Sequence, residues 1–376
     1  MHEEDAHDAH RTTAHGSIVV TTVVVAGIGG AVGARLLRRL AADATVDRVV
    51  AVDRLASGPV PPGVAFVRAD LRDAVLARVI RDADVVIHTG FADDLTHDDI
   101  VRLVVRVQGT RRLLDAVGTA AVPAVVHLSS ALVYGADETN LVPLAESQPL
   151  RAEPRFTAVH HALLAEDAVR AFAGAHPACR VVVLRAVPAL VPHVDSAVTR
   201  HLESPLLPQV RGFDPPVQFV DLDDLVAAVC LVATDSRAVG VYNVAADGWL
   251  TSSDVRRILA RPGLRLPEQV AVGAATLLYR LRLLAVPPQA LRYLMHPWVV
   301  DTARLRALGW APTASQRDIL HQFVTEHRRW LSIGRLRVRT SRLAALAGGV
   351  LGVAATIAAW FGLRWWRRYR RPGQCG

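Results

Sequence analysis

A chain of 376 residues that is 51% hydrophobic and 21% charged can bury one or two sizeable cores, which excludes disorder as its overall state. All 43 basic residues are arginine, so a Schiff base, a P-loop phosphate clamp or a tyrosine activated by an ammonium is excluded from this chain alone. The net charge of +8 and the pI near 10.3 suggest a nucleic-acid partner only until the charge is located. From Arg328 onward there are 11 arginines and no acidic residue, while residues 1–327 hold 32 basic against 35 acidic groups, so no nucleic acid is expected.

Residues 1–17 read as a disordered polar tail, too acidic at its start for a secretory signal. Its His2, His7, His10 and His15 match no closed metal site, and no metal is expected. Cys179, Cys230 and Cys375 are far apart and form no CxxC pair, which points to a reducing compartment. From residue 18, short Val-rich runs alternate with Arg/Ala/Leu-rich stretches of helical character. That rhythm predicts six strands, near 18–26, 48–53, 65–68, 84–88, 124–129 and 180–185, in a doubly wound parallel sheet of Rossmann type with both faces buried. This domain is assigned to 18–187. Beyond it the alternation loosens and Pro205, Pro208, Pro215 and Pro216 cluster, marking a smaller substrate lobe over 188–327. Within the lobe, 270–286 reads as an amphipathic helix whose outer face can either pack or meet lipid.

A basic linker, 328–342, leads into an uncharged run of 21 residues, 343–363. At about 1.5 Å per residue the run matches a hydrocarbon core of roughly 30 Å, which predicts a C-terminal transmembrane helix and membrane lipids as partners. Trp365, Trp366 and the arginines of the basic tail, 364–376, suit an aromatic belt and anionic headgroups. Gly348 and Gly352 give a GxxxG spacing that would allow a homodimer.

The sharpest chemical motif follows the first strand. Gly27, Gly30 and Gly33 open the next helix, where a tight turn, close approach to a pyrophosphate and close helix–strand packing each require glycine. The helix N-terminus then faces the phosphates. Asp53, 20 residues after Gly33, supplies a carboxylate for the ribose hydroxyls and repels a 2′-phosphate. NAD is therefore the expected cofactor over NADP, with Arg54 blurring the choice.

Together with Asp70 and Leu71, the strand end His88, Thr89, Gly90 and Phe91, the helical piece 107–114, and the run 126–135 containing Ser129 and Ser130, these residues resemble the extended short-chain dehydrogenase/reductases, the NAD-dependent epimerase/dehydratase family. The stretches 219–224, 241–244, 301–304 and 308–312 are similar to its substrate lobe and C-terminal signature, so the resemblance spans roughly 18–325. It implies NAD held by Gly27, Gly30, Gly33, Asp53, Asp70, Leu71, His88, Gly90 and Ser129. It also implies a nucleotide-sugar substrate, with related branches acting on sterols and flavonoid-like alcohols.

In that family a tyrosine is the general acid/base, and a lysine four residues later lowers its pKa and holds the nicotinamide ribose. The family's substrate-orienting serine matches Ser130. Anchored on Glu166, the tyrosine position is Ala158 and the lysine position Ala162, and no tyrosine lies between Tyr134 and Tyr242. Arg106 and Pro188 also stand where the family commonly has asparagine. A histidine can exchange protons near neutral pH without a lysine, so His161 and His160 join Ser130 as candidate catalytic residues, although four departures favour the histidines as bystanders. Two functions are expected. One is a single-pass NAD-binding pseudoenzyme or redox-state sensor of the cell membrane, its large domain in the cytoplasm with the dinucleotide and reduced cysteines. The alternative is an active oxidoreductase or epimerase on a nucleotide sugar or lipid-linked sugar with displaced acid/base residues.

Overall fold

Strands such as Val23–Val24–Val25–Ala26 carry no polar side chain on either face, so they are stable only where helices cover both. The computed structural model describes residues 20–55, 58–90, 100–191, 194–284, 286–327, 330–333 and 336–340. The histidine-bearing tail, Phe91 and the run 343–363 with its GxxxG spacing and basic tail lie outside them. Among the described residues no helix is long and apolar enough to cross a membrane.

The first half comprises β1 (Val20–Ala26), α1 (Ala31–Ala41), β2 (Val46–Asp53), β3 (Val64–Arg68), α2 (Leu76–Val79), β4 (Val85–His88), α3 (Ile100–Thr119), β5 (Ala124–Ser130), α4 (Thr157–Ala175) and β6 (Arg180–Ala186). The second comprises α5 (Ala197–Leu202), β7 (Leu207–Val210), β8 (Pro216–Val217), α6 (Leu222–Thr234), β9 (Gly240–Val244), β10 (Leu250–Thr251), α7 (Ser252–Ile258), β11 (Gly263–Leu266), α8 (Glu268–Arg280), α9 (Ala303–Arg306), α10 (Gln316–His327), β12 (Trp330–Ile333) and β13 (Leu336–Arg339). All six expected strands form. A seventh, β9, joins the edge from beyond residue 187, giving a wholly parallel sheet of order β3-β2-β1-β4-β5-β6-β9. The direction of the strand order reverses between β1 and β4, which opens the crevice where such sheets bind ligands.

Alternate residues of β1 enter different cores. Val23 and Val25 pack with Leu36 and Leu40 of α1, whereas Val24 and Ala26 pack with Leu113 and Val117 of α3 and Val169 and Phe172 of α4. The period of two therefore sorts one apolar strand between two helical layers.

The lobe is built from two-stranded pairs, β7 with β11, β8 with β10 and β12 with β13. Trp310 Nε1 donates to the Asp224 carbonyl at 3.1 Å, and Thr313 N donates to the Asp224 carboxylate at 2.9 Å, so the C-terminal signature is bolted to the start of α6. The buried Glu203 carboxylate accepts from Ser332 Oγ at 2.6 Å and Arg337 Nη2 at 2.7 Å, and contacts His327 Nδ1 at 2.6 Å, fixing the β12–β13 hairpin against α5. The amphipathic helix read over 270–286 is shorter than expected. It ends at Arg280, because the chain turns through Arg282 in the left-handed region before Pro287. Only Ala271 and Ala275 of α8 are buried.

Candidate functional site

The three strand ends β1, β2 and β3 bring the expected dinucleotide residues together. Gly27 turns the chain out of β1 at φ +82°, and a Cβ there would meet Gly90 at 3.4 Å. A Cβ on Gly33 would lie 2.5 Å from the carbonyl oxygen of Ile28, so only glycine lets α1 sit this close to the turn. Gly30 is the N-cap of α1 and has no side chain to occupy the space before the helix's free N–H groups. The turn is held from two sides. Asp53 accepts from Gly29 N through Oδ2 at 2.8 Å and from Arg54 N through Oδ1 at 2.6 Å. Thr89 Oγ1 donates to the Gly27 carbonyl.

Beside Asp53, the Arg72 guanidinium bonds Asp70 through Nε and Nη2, both at 2.9 Å, and holds its carboxyl below the ordinary aspartate value. Leu71 packs under α3, its Cβ 3.4 Å from where a Gly109 Cβ would stand. His88 ends β4 beside the glycine turn. Its ring turns inward to the paired strand, with Nδ1 3.0 Å from Nδ1 of His127, and a Cβ on Gly90 would lie 2.5 Å from His88 Nε2. Burial pushes His127 down to about 4, so it is neutral at pH 7. His127 was not singled out from sequence, although a histidine near the end of each of two neighbouring strands is a readable sign of such a pair.

The end of β5 leads into a larger buried network. Ser129 Oγ donates to Glu166 Oε2 at 2.9 Å, and Glu166 receives Arg185 through a multiply bonded ion pair whose Nε–Oε1 distance is 3.0 Å. Arg185 Nη1 donates onward to Tyr134 Oη at 2.8 Å and to the Glu146 carbonyl at 3.1 Å, and Tyr134 Oη donates to Asn243 Oδ1 at 2.8 Å. Burial pushes the Tyr134 phenol up despite the adjacent Arg185. Ser129 is thereby tied to the network at the strand end. Arg185 was legible only as a strand residue, and Asn243 only as part of the stretch 241–244 assigned to the lobe. Their polar partnership joins β5, α4, β6 and β9, which lie far apart in sequence.

Ser130 Oγ accepts from Leu132 N at 3.2 Å as the N-cap of a 3-10 turn, Ala131–Tyr134. On α4, Ala158 is 3% exposed and Ala162 1%, the latter packed against Val133 and Ala165. Glu166, one turn beyond Ala162 on the same buried face, holds Arg185 and confirms that this face looks toward the sheet. His160 and His161 are half-buried with ring centroids 6.3 Å apart, and His160 Nδ1 has no hydrogen-bond partner among the described residues. Arg106 lies on α3, but its side chain is outside the described set, whereas Pro188 lines the cavity described next.

A cavity of about 370 Å³ opens between the ends of β5 and β6 and the lobe. Ser129, Ser130, Leu132, Tyr293, Phe219 and Trp298 are among its walls. Tyr293 Oη donates to the Leu132 carbonyl at 2.7 Å, and burial pushes its phenol up.

Comparison with known proteins places this geometry. Residues 23–245 match the family model described as the NAD dependent epimerase/dehydratase family. An uncharacterized protein of Mycobacterium tuberculosis is 29% identical over 300 residues, covering 77% of this chain and 80% of that protein. A dTDP-glucose 4,6-dehydratase of Streptomyces antibioticus is 29% identical over 264 residues, 63% of this chain and 76% of its own length. Among solved structures, the Thermus thermophilus UDP-glucose 4-epimerase in complex with NAD superposes with a TM-score of 0.62 at 20% identity, covering 82% of this chain and 99% of that one. The Streptomyces venezuelae dTDP-glucose 4,6-dehydratase with NAD gives 0.62 at 24%, covering 82% and 97%. At these identities the structural likeness is one of fold.

Proposed function

The chain belongs to the NAD-dependent epimerase/dehydratase family, and from that premise we propose a membrane-anchored NAD-binding protein that does not use tyrosine–lysine catalysis, a pseudoenzyme or sensor of the dinucleotide's redox state. One observation carries the reading. The inward positions of α4 that would hold the acid/base pair are Ala158 and Ala162, while Tyr134 and Tyr293 are buried and bonded elsewhere.

The residues present fit the dinucleotide. The cradle that a Cβ on Gly33 would fill, the bare N-terminus of α1 and the Asp53 carboxylate form the set that holds a pyrophosphate and an adenosine ribose. Bound NAD supplies hydride exchange. The chain's own part is to orient the dinucleotide through the glycine turn, to select against a 2′-phosphate through Asp53, and to exclude water with the apolar wall of α4. In this reading Ser130 is a positioning hydroxyl at the end of β5.

Membrane attachment rests on the run 343–363 and its arginine clusters. It is supported by apolar side chains left uncovered near the chain's C-terminal side, among them Leu277, Leu281 and Leu283 around the end of α8 and Ile333 and Leu336 at the hairpin. The large domain is assigned to the cytoplasmic side, where NAD is available and thiols stay reduced. A second reading, turnover through displaced residues, is favoured by the buried, unpartnered His160 Nδ1.

The test uses the full chain in lipid nanodiscs, titrated calorimetrically with NAD and NADP and then assayed for NAD reduction or epimerisation with UDP-glucose and dTDP-glucose. NAD binding tighter than NADP without turnover is expected. Turnover that His160→Ala or His161→Ala abolishes would replace the proposal by the second reading, and absence of NAD binding by a folded chain would remove both.

A further inference from the structure

The cavity beside Ser130 has the size of a small-molecule site, since such sites span roughly 300–1,000 Å³. Its lining is overwhelmingly aliphatic and aromatic, with Leu128, Val187, Leu207, Phe213, Val217 and Leu291 typical of it. The polar groups on its walls are largely taken. Ser129 and Ser332 donate to buried carboxylates, Glu166 and Glu203, and Tyr293 donates to a carbonyl. Gln209 Oε1 accepts from Arg265 Nε at 3.4 Å. Arg200 is the lone arginine among the described lining residues, and it is bound to Asp195 through two of its nitrogens, with Nη2–Oδ2 at 2.7 Å. Burial pushes His201 down to about 4, so it adds no positive charge at pH 7.

A nucleoside diphosphate sugar brings a doubly charged diphosphate and a hydroxyl-rich ring. Both must leave water, and a charge that does so without a counter-charge is strongly disfavoured. These walls offer a diphosphate one guanidinium that already has a carboxylate, and they offer sugar hydroxyls few open partners. An apolar body instead gains from every wall it touches. The end of the cavity at Ser130 retains a hydroxyl, enough for one polar group.

The outer surface points to where such a ligand comes from. Ala275 and Leu284 line the cavity, while Leu277 and Leu281, between them in the chain, are 58% and 59% exposed. Ser332 lines it as well, and the next residue, Ile333, is 60% exposed. The wall is thus thin in sequence between an apolar chamber and an apolar outside.

We propose that this cavity binds a neutral, largely apolar molecule with a single polar end, such as a prenyl or long-chain alcohol or its carbonyl form, taken from a lipid surface, in place of a nucleotide sugar. The inference rests on the reading of the Ser130 end as the NAD crevice, but it is tested separately from NAD binding.

The full chain in phosphatidylcholine nanodiscs is photolabelled with a diazirine–alkyne analogue of geranylgeraniol, and the labelled peptides are mapped by mass spectrometry, with NAD affinity measured in parallel. Label is expected on the segments 186–191, 197–209 and 286–298. Excess unlabelled geranylgeraniol should reduce it at least fivefold, and UDP-glucose or dTDP-glucose should leave it unchanged. Ala290→Phe, which narrows the cavity, should reduce it to a similar extent while NAD affinity stays within twofold. Ala197→Trp, on another wall, repeats the test if the first variant loses NAD binding. Competition by either nucleotide sugar, or label confined to lipid-exposed residues such as Leu281 and Leu336, overturns the proposal. Cavity labelling in a chain that fails to bind NAD upholds it and removes the cofactor reading alone.

Discussion

Replacing Asp53 by alanine tests the cofactor site at the carboxylate that braces its glycine turn. In the folded chain this carboxylate accepts from Gly29 N at 2.8 Å and from Arg54 N at 2.6 Å, so it braces the glycine turn before any ligand arrives. Bound NAD would add its ribose hydroxyls to the same oxygens. Hydrogen bonds to a charged group contribute about 1.5–3 kcal/mol. Loss of the ribose bond and loosening of the turn together should weaken NAD by roughly 10- to 150-fold, since about 1.4 kcal/mol is tenfold. NADP should lose much less, because removing the carboxylate also removes its repulsion of the 2′-phosphate and leaves Arg54 beside it. Calorimetric titration of wild type and Asp53→Ala with both dinucleotides gives the two ratios. NAD affinity within threefold of wild type, or equal losses for NAD and NADP, would refute the placement of the ribose at Asp53.

Glu166→Ala should lower the stability of the folded chain by about 3–5 kcal/mol, since it strands the buried Arg185 charge, and so lower the Tm by about 5 °C. Glu166→Ala combined with Arg185→Met should be the more stable of the two in urea, and additive losses would show that the pair is not coupled. His127 has a folded pKa of about 4 against an ordinary value of 6.5, so between these values the unfolded chain binds the additional proton. Its contribution is present above about pH 6.5 and is lost as pH falls toward 4, by about 3 kcal/mol in total. The urea midpoint of His127→Gln should therefore depend less steeply on pH in that window, and parallel slopes for the two proteins would contradict the assignment.

Strand positions were legible because valine runs buried on both faces leave little else for the chain to do, and six of the seven sheet strands follow from that signal. The seventh, Gly240–Val244, is short and carries Tyr242 and Asn243, so it read as part of the lobe. Only its pairing with Arg180–Ala186 reveals it. The glycine turn was legible for a steric reason, shown by the 2.5 Å that a Gly33 side chain would leave to Ile28. The pairing of His88 with His127 was not legible, because a strand-end residue's position does not say whether a neighbour meets its ring. The cavity was invisible in the sequence. Its walls come from β5, β6, α5, β7, α8 and the segments around them, and each contributes apolar residues that would look the same in a solid core.

The two halves of the site rest on different physics. The dinucleotide half is made of backbone and of absent side chains, and the contacts that define it also pack α1 against β1. Disturbing it disturbs the sheet. On the proposed reading the acid/base pair would fall at Ala158 and Ala162, both buried, where a phenol or an ammonium would be desolvated. Glu166, on the same face, is committed to Arg185 and Ser129. Alanines remove that burden and join Val133 and Ala165 in a continuous apolar wall. The same preference runs through the lobe, whose cavity pairs its charges internally and leaves Ser130 as a hydroxyl at the dinucleotide end. A chamber of this kind suits the joint presence of NAD and a neutral apolar ligand better than it suits proton transfer between them, so the alanines of α4 and the apolar lobe support one reading of the protein.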